Sequence, residues 1–406
     1  MAVNNDPQRP RLGSRALFPD LQAQAYLAHA AISPASTTVR GAVTQLLDDY
    51  ARRGVHAFGA WSEQRALLRN QLARLIRAPA SSIALTAGTT RGITDLASSI
   101  AWRAGDRVVC FQGEFPANVT PWQELAKLHR LEISWLPAAA HQADPATALE
   151  QLETMLRRGV RVVAVSAVQF QTGLRMPLED IGGLCRRYGA ELFVDAIQAC
   201  GALPVDVEAW RADYLVCGAH KWLLGLEGAG FLYVHPERVG ALRPYVAGWL
   251  SYEGAADFLF QGSGHLRYDR PLKQSVEVFE GSTSSAVGYA ALGASVGLLL
   301  ELGIEGIASH IQGYLDELEP ALLDRGFETA RSPLPRQRSG ILSVSPPVGT
   351  SAVDLHRHLN AHGIVTSLPD GWLRMAPHWP NSRAEIPAIL SIIDEFDPSL
   401  CGAASH

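Results

Sequence analysis

The sequence predicts an α/β protein, with a mostly parallel seven-stranded sheet in a large domain and a smaller α+β domain beside it. Three observations carry this reading. Between about residues 81 and 234, short β-branched runs alternate with amphipathic stretches at helical spacing, and that alternation places helices on both faces of a parallel sheet. After Gly281 the texture changes to a long apolar helix and a Pro/Arg-rich loop, followed by further strand and helix signals. Finally, 406 residues exceed what one simple core holds, so a large domain with a smaller companion is expected.

The strands are expected at residues 82–86, 107–111, 132–136, 161–166, 191–195, 214–217 and 230–234. Helical spacing of apolar residues marks the stretch from Thr90 to Trp102, residues 147–158 and residues 178–188. Residues 286–302 read as a long helix and the Pro/Arg-rich segment 331–336 as a loop. A strand at 341–344, a helix at 352–362, another strand and a terminal helix near 383–395 complete the chain. The large domain is expected to span residues 45–285, and the small one residues 1–44 and 286–406.

Composition excludes several function classes. Hydrophobic residues make up 47% and charged residues 18%, a folded rather than a disordered balance. A net charge of -5 and a pI near 6.2 give no basic footprint for nucleic acid. The longest greasy stretch, residues 290–300, is stopped by Glu301. It falls short of the roughly 20 residues a bilayer span needs, so a buried helix is expected and no membrane partner. The first ten residues have no apolar core of a signal peptide. Cys110, Cys185, Cys200, Cys217 and Cys401 are odd in number and lack CxxC spacing, which predicts a reducing, cytoplasmic setting and no metal site.

Lys221 is one of only three lysines, with Lys127 and Lys273. It lies just past an apolar run, in Cys217-Gly218-Ala219-His220-Lys221, where a charged amine is costly to keep. A surface lysine at a strand end is one explanation; an amine of depressed pKa ready to form a Schiff base is the other. Asp195 ends the run Leu192-Phe193-Val194-Asp195, where a buried carboxylate needs a cationic or hydrogen-bonding partner. Gln198 follows three residues later. Upstream, Gly88-Thr89-Thr90 joins a strand to a helix and offers backbone N–H groups and hydroxyls to an anion. Each feature has an ordinary explanation, as a cap, a turn residue or a lone amide. Together they match what pyridoxal 5′-phosphate requires: a phosphate cradle, a carboxylate for the pyridine nitrogen and a Schiff-base lysine.

Seven blocks in order then resemble the class V aminotransferase family of fold-type I pyridoxal-phosphate enzymes, in the branch of cysteine desulfurases, kynureninase and isopenicillin N epimerase. They are Gly88–Thr90, residues 114–122, residues 165–173, Val194-Asp195-Ala196-Ile197-Gln198, residues 218–222, residues 279–283 and Leu373-Arg374-Met375-Ala376-Pro377-His378. The resemblance runs from about Ala25 to Ile392. It implies that Lys221 carries the cofactor and later moves the Cα proton, and that Asp195 pairs with the pyridinium nitrogen. Gln198 would sit near the 3-hydroxyl, and Thr89, Thr90 and His220 would hold the phosphate. Phe115 would stack on the ring, unless it is a core residue before a proline turn. Gln169 stands where many relatives carry asparagine. Thr283 would reach the phosphate of a neighbouring subunit, which implies a homodimer with shared sites. Arg374 would bind the substrate α-carboxylate. Trp249 and Trp372 are placed in the substrate pocket, with a structural role as the alternative.

One departure bears on the reaction. Cysteine desulfurases carry a nucleophilic cysteine on the loop before the carboxylate-binding arginine, whereas residues 363–374 here contain none. The expectation is therefore Cα deprotonation of a small or modified L-α-amino acid followed by β-elimination, of C–S lyase type, without persulfide formation. An aminotransferase, an epimerase or a decarboxylating variant is the alternative, and a non-catalytic scaffold of the same fold a remote one. The sequence leaves open the substrate, its stereochemistry, the pathway and any assembly beyond a dimer.

Overall fold

The computed structural model describes residues 9–397, so Cys401 lies outside the described residues. The seven expected strands form one sheet. They are β1 (Ile83–Thr86), β2 (Arg107–Gln112), β3 (Glu132–Pro137), β4 (Val162–Ser166), β5 (Glu191–Asp195), β6 (Tyr214–Gly218) and β7 (Gly230–Val234). Their spatial order is β1-β7-β6-β5-β4-β2-β3. β7 pairs antiparallel with both β1 and β6, and every other pairing in the sheet is parallel.

Burial explains this order. Strands β4 to β7 are buried at every position, as strands covered on both faces must be. Because side chains alternate along a strand, successive residues feed two separate cores. Val109, Val163, Val165, Leu192 and Val194 enter one; Val108, Val162, Ala164, Phe193 and Val216 enter the other. The edge strand β3 is exposed or half-buried at every position but Leu136 and ends in Pro137, a residue that sheets tolerate at an edge.

Two helices precede the sheet, α1 (Thr37–Arg53) and α2 (Phe58–Ile76). Within the sheet region come α3 (Thr89–Ser99), α4 (Thr120–His129), α5 (Pro145–Leu156) and α6 (Leu178–Tyr188). The greasy stretch is α7 (Ala286–Leu302), buried on most sides and packed against α1 and α2; Ser285 caps it, its Oγ accepting from Gly288 N–H at 3.0 Å. No single helix among the described residues is long and apolar enough to cross a membrane. Helix α8 (Ile304–Leu323) leads to a second sheet of β8 (Glu328–Thr329), β9 (Leu342–Ser345) and β10 (Leu373–Met375), in the order β10-β9-β8. Helices α9 (Ala352–Ala361) and α10 (Ile386–Asp394) accompany it. The N-terminal residues are stitched to these late elements: Ala25–Tyr26 pairs in parallel with Ile364–Val365, and Ala28 bridges Ala376.

The sequence reading did not identify α1, α2, α4 or α8. Helix α1 buries only Val39 and Leu46 in 17 residues, too thin a stripe to stand out by periodicity. Helix α8 has a clear stripe (Ile304, Ile307, Ile311, Leu315, Leu318, Leu322), but Pro320 sits inside it and reads as a break.

One close approach ties the turn after β5 to the loop after β6. Gly201 has a φ of +100°, and a Cβ built there would lie 2.1 Å from the Trp222 carbonyl oxygen. Gly201→Ala is therefore expected to destabilise the fold by roughly 2–4 kcal/mol through combined overlap and backbone strain. Urea denaturation of the purified variant measures this.

Candidate active site

Strands β1, β2, β4, β5 and β6 end, and the reversed β7 begins, along one edge of the large sheet. In open α/β sheets this carboxyl edge is where ligands sit. A cavity of about 650 Å³ opens there, with Asp195, His220 and Lys221 among its lining. Gly88, Thr89 and Thr90 border it on one side, Phe115 and Arg374 on another.

Asp195 is the last residue of β5 and is buried. Its Oδ1 accepts one hydrogen bond, from Ile197 N–H at 3.0 Å. Burial pushes its carboxyl up to about 7; the Ile197 bond opposes this, nearby Glu114 adds to it, and the Lys221 charge pulls the other way. Glu114 is a second buried carboxylate, which the sequence reading quoted without giving it a role. It accepts from Ser166 N–H at 2.7 Å, from Gln169 Nε2 at 3.0 Å and from Asn118 Nδ2 at 3.3 Å, and also from the Ser166 hydroxyl. Since Ser166 is the register partner of Asp195 on β4, a fully hydrogen-bonded carboxylate braces the strand beside a barely bonded one.

Lys221 follows β6 in the loop Ala219-His220-Lys221. Its Nζ sits 5.4 Å from the centroid of the Phe115 ring, within cation–π range. Burial lowers its amine to about 8; the Asp195 carboxylate raises it and the Arg374 guanidinium lowers it further. The neighbouring His220 is also lowered, by burial first and then by the Lys221 charge.

Gly88 is the N-cap of α3 and offers no side-chain cap to the first N–H groups. Its φ of +148° suits glycine and turns these groups toward the cavity edge. The hydroxyl of Thr89 is buried with no hydrogen-bond partner. A Cβ on Gly218 would stand 3.0 Å from that hydroxyl, so this glycine keeps the space beside it open. At the other end, Arg374 is buried in β10. Its Nε donates to Ser367 Oγ at 2.9 Å and its Nη1 to the Phe170 carbonyl at 2.7 Å. Burial lowers its pKa to about 10. No ion pair joins it to any described residue, so this guanidinium is positioned but uncompensated.

Residues 25–370, most of the chain, match the family model of class V aminotransferases. The chain belongs to the class V aminotransferase family. Its cofactor is accordingly pyridoxal 5′-phosphate. Among relatives, it is 26% identical over 375 residues to the uncharacterized aminotransferase YcbU of Bacillus subtilis (strain 168), covering 92% of this chain and 94% of that protein. It is 29% identical over 344 residues to a probable cysteine desulfurase of Halalkalibacterium halodurans, covering 80% and 79%. Its fold matches that of a C-DES mutant carrying glycine covalently linked to its PLP cofactor, with a TM-score of 0.85 at 23% identity over 95% of this chain and 100% of the other. It also matches an apo cysteine desulfurase from Thermococcus onnurineus NA1, with a TM-score of 0.79 at 22% identity over 91% and 94%.

The residues present in this class V aminotransferase relative fit that cofactor. The unpartnered Thr89 hydroxyl and the uncapped α3 N-terminus suit a phosphate. Asp195 is a carboxylate raised by burial, and Lys221 is an amine facing the same cavity. Other residues singled out from the sequence lie elsewhere. Gln169 is behind the lining, bonded to Glu114. Gln198 is buried, its Nε2 donating to the Ala30 carbonyl at 3.0 Å and its Oε1 accepting from Trp222 Nε1 at 2.7 Å. Thr283 lines a separate cavity of about 350 Å³ that shares Ala87, Arg91 and Gly228 with the first. Trp249 is 45% exposed and packs edge-on to Phe258, their centroids 6.3 Å apart. Trp372 is half-buried and outside the lining, although Arg374 two residues on is within it. Sequence reasoning missed Ala30, Ala31, Phe170 and Pro369, which do line the cavity; small and apolar loop residues carry no chemical signal of their own.

Proposed function

We propose that this enzyme acts on a small or modified L-α-amino acid by removing its Cα proton and expelling a sulfur substituent from Cβ, as a C–S lyase. Pyridoxal phosphate, when bound, supplies a sink for the electron pair left on Cα. In this reading Lys221 carries the cofactor and moves the Cα proton, its buried amine being held near neutrality. Asp195 lies opposite the pyridine nitrogen, where a cation would return its carboxyl toward the ordinary range. Thr89, Thr90, His220 and the N-terminus of α3 hold the phosphate, and Phe115 stacks on the ring. Arg374 takes the α-carboxylate through its free Nη2.

The observation that carries elimination is the lining near Arg374. Phe170 gives its carbonyl to Arg374, Phe115 stands edge-on to it at 5.2 Å, and Ala30, Ala31 and Pro369 join them. None of these side chains is an acid. Of the other charged lining residues, Arg91, His220 and Glu227 belong to the α3 end, and Asp195 and Lys221 are assigned in this reading to the pyridine nitrogen and the Cα proton. A departing group that receives no proton must be stable as an anion, and a thiolate, with a pKa of about 8.5, meets that condition better than an alkoxide or amine. Persulfide formation on the protein is disfavoured, because the loop before Arg374 has no cysteine and Cys110, Cys185, Cys200 and Cys217 are all buried.

The same reading includes a homodimer in a reducing cytoplasm. Tyr245, Phe260, Leu266 and Tyr268 leave an apolar surface exposed, and Thr283, outside its own main cavity, would serve a neighbouring copy. A second reaction, transamination, is favoured by the likeness to the Bacillus subtilis aminotransferase across nearly the whole chain.

Lys221→Ala is expected to abolish both the visible band of the bound cofactor and turnover, whereas Asp195→Ala should keep some cofactor and lose about 10²–10³-fold in kcat. Absorption spectra and steady-state rates check both. Arg374→Ala should raise KM by roughly 10- to 100-fold, the worth of a charged hydrogen-bond pair, with a smaller change in kcat. Presented with cystine and cysteine S-conjugates, the wild type should keep its visible band while a keto acid and ammonia accumulate. Stable bleaching that a keto acid reverses would instead establish transamination.

A further inference from the structure

Three successive carbonyls at Lys221 are each held by residues from the far ends of the chain. The His220 carbonyl accepts from Ser33 N–H at 2.8 Å. The Lys221 carbonyl accepts from Ser33 Oγ at 2.6 Å, and the Trp222 carbonyl lies 2.9 Å from His378 Nε2. Behind Ser33, its hydroxyl oxygen is 2.8 Å from His29 Nδ1. The two imidazoles meet edge to face, their centroids 5.3 Å apart.

The hydrogen bonds fix both tautomers. Trp379 N–H donates to His378 Nδ1 at 2.7 Å, so His378 carries its proton on Nε2 and gives it to the Trp222 carbonyl. Ser33 spends its own proton on the Lys221 carbonyl, so its oxygen accepts from a protonated His29 Nδ1. Both rings are fully buried, and burial holds both neutral, His378 at about 3. Neutrality matters: a proton added to His378 Nδ1 would break the Trp379 bond. Neither His29, Ser33 nor His378 lines the cavity.

We propose that Ser33, buttressed by His29, and His378 are positioning residues that fix the Lys221 backbone, and so decide where its amine stands in the cavity. The N-terminal segment Ala28–Ser33 and the segment after β10 thereby become parts of the lysine's mount, with Gly201 packed against the same Trp222 carbonyl that His378 holds. The inference rests on Lys221 being the working amine, but its test needs neither cofactor nor turnover.

Only three lysines are present, so competitive acetylation of the full-length, cofactor-free chain, read by peptide mass spectrometry across a pH series, reports Lys221 against Lys127 and Lys273. The charged and titratable groups that act on Lys221 are Asp195, Arg374, Cys217 and His220, and none is altered by the test. In the wild type the Lys221 midpoint is expected near 8. Ser33→Ala should free the loop, let the amine reach water and move the midpoint up by about one unit; Ser33→Thr, which keeps the hydroxyl, should restore it. A purely structural role would lower the melting temperature of Ser33→Ala and leave the midpoint where it was, and that result in a folded variant overturns the proposal. Should Ser33→Ala not fold, His29→Leu is read the same way, with the same two outcomes. Absence of a visible band in cofactor-loaded wild type would instead count against the proposed function and leave this titration intact.

Discussion

The site depends on one constraint: the central strands are covered on both faces. With β4, β5, β6 and β7 buried at every residue, polar side chains there have no route to water except at the strand ends. Asp195 comes at such an end, and Ser166 stands beside it in register. The reversal of β7 brings its glycine-rich start, Gly228 and Gly230, to the same edge as the ends of β1 and β6. Gly230 sits where a Cβ would strike the Cys217 carbonyl at 2.5 Å. The topology thus delivers a carboxylate, a lysine loop and a helix N-terminus to one cavity without any long loop having to carry them.

The charged groups gathered there lack the ion pairs that hold most of the other buried charges, Glu114 apart. Arg331, also buried, is bonded to Glu319 and Asp316, and Glu191 is held by Arg161 and Arg238. Asp195, by contrast, accepts one backbone bond, the Lys221 amine has no hydrogen bond to a described residue, and Arg374 meets only neutral acceptors. A fold selected for stability alone would not keep three such groups, because desolvating an unpaired charge is costly. Under the proposed function one ligand would complete all three: a ring nitrogen for Asp195, a carbonyl carbon for Lys221 and a carboxylate for Arg374. The local raising of Asp195 and lowering of Lys221 are two signatures of that one incomplete arrangement.

Much of this was legible in the sequence, and the reason is physical. The seven strands stand out because two-sided burial demands continuous apolar runs. Lys221, Asp195 and Gly88–Thr90 stand out because each breaks such a run at its end. Arg374 needed the family resemblance, since one arginine among many has no local mark. What stayed hidden is what folding alone brings together. His29 and His378 are separated by most of the chain and read singly as unremarkable polar residues, yet they meet ring to ring beneath Lys221. Trp249 and Trp372, expected in the substrate pocket or in a structural role, are not among the lining of this cavity. Gln198, expected at the cofactor by resemblance, is bonded to Ala30 and Trp222, which makes it a strut between the N-terminal segment and the lysine loop.

That strut joins the cofactor-side residues and the substrate-side residues in one mechanical unit. Ala30 and Ala31 line the cavity, while Ser33, two residues on, holds the Lys221 carbonyl and Gln198 holds Ala30 itself. A side chain larger than alanine at position 30 or 31 would therefore press on the segment that fixes the lysine as well as crowd the substrate. Substrate size and lysine placement cannot vary independently here. Under the proposed function, the charged residues common to every reaction at Cα leave the product undetermined, and discrimination would fall to this small apolar segment and to Phe115, Phe170 and Pro369, which also line the cavity. On the proposed reading, their lack of a proton donor favours expulsion of a thiolate over chemistries in which the departing atom must be protonated as it leaves.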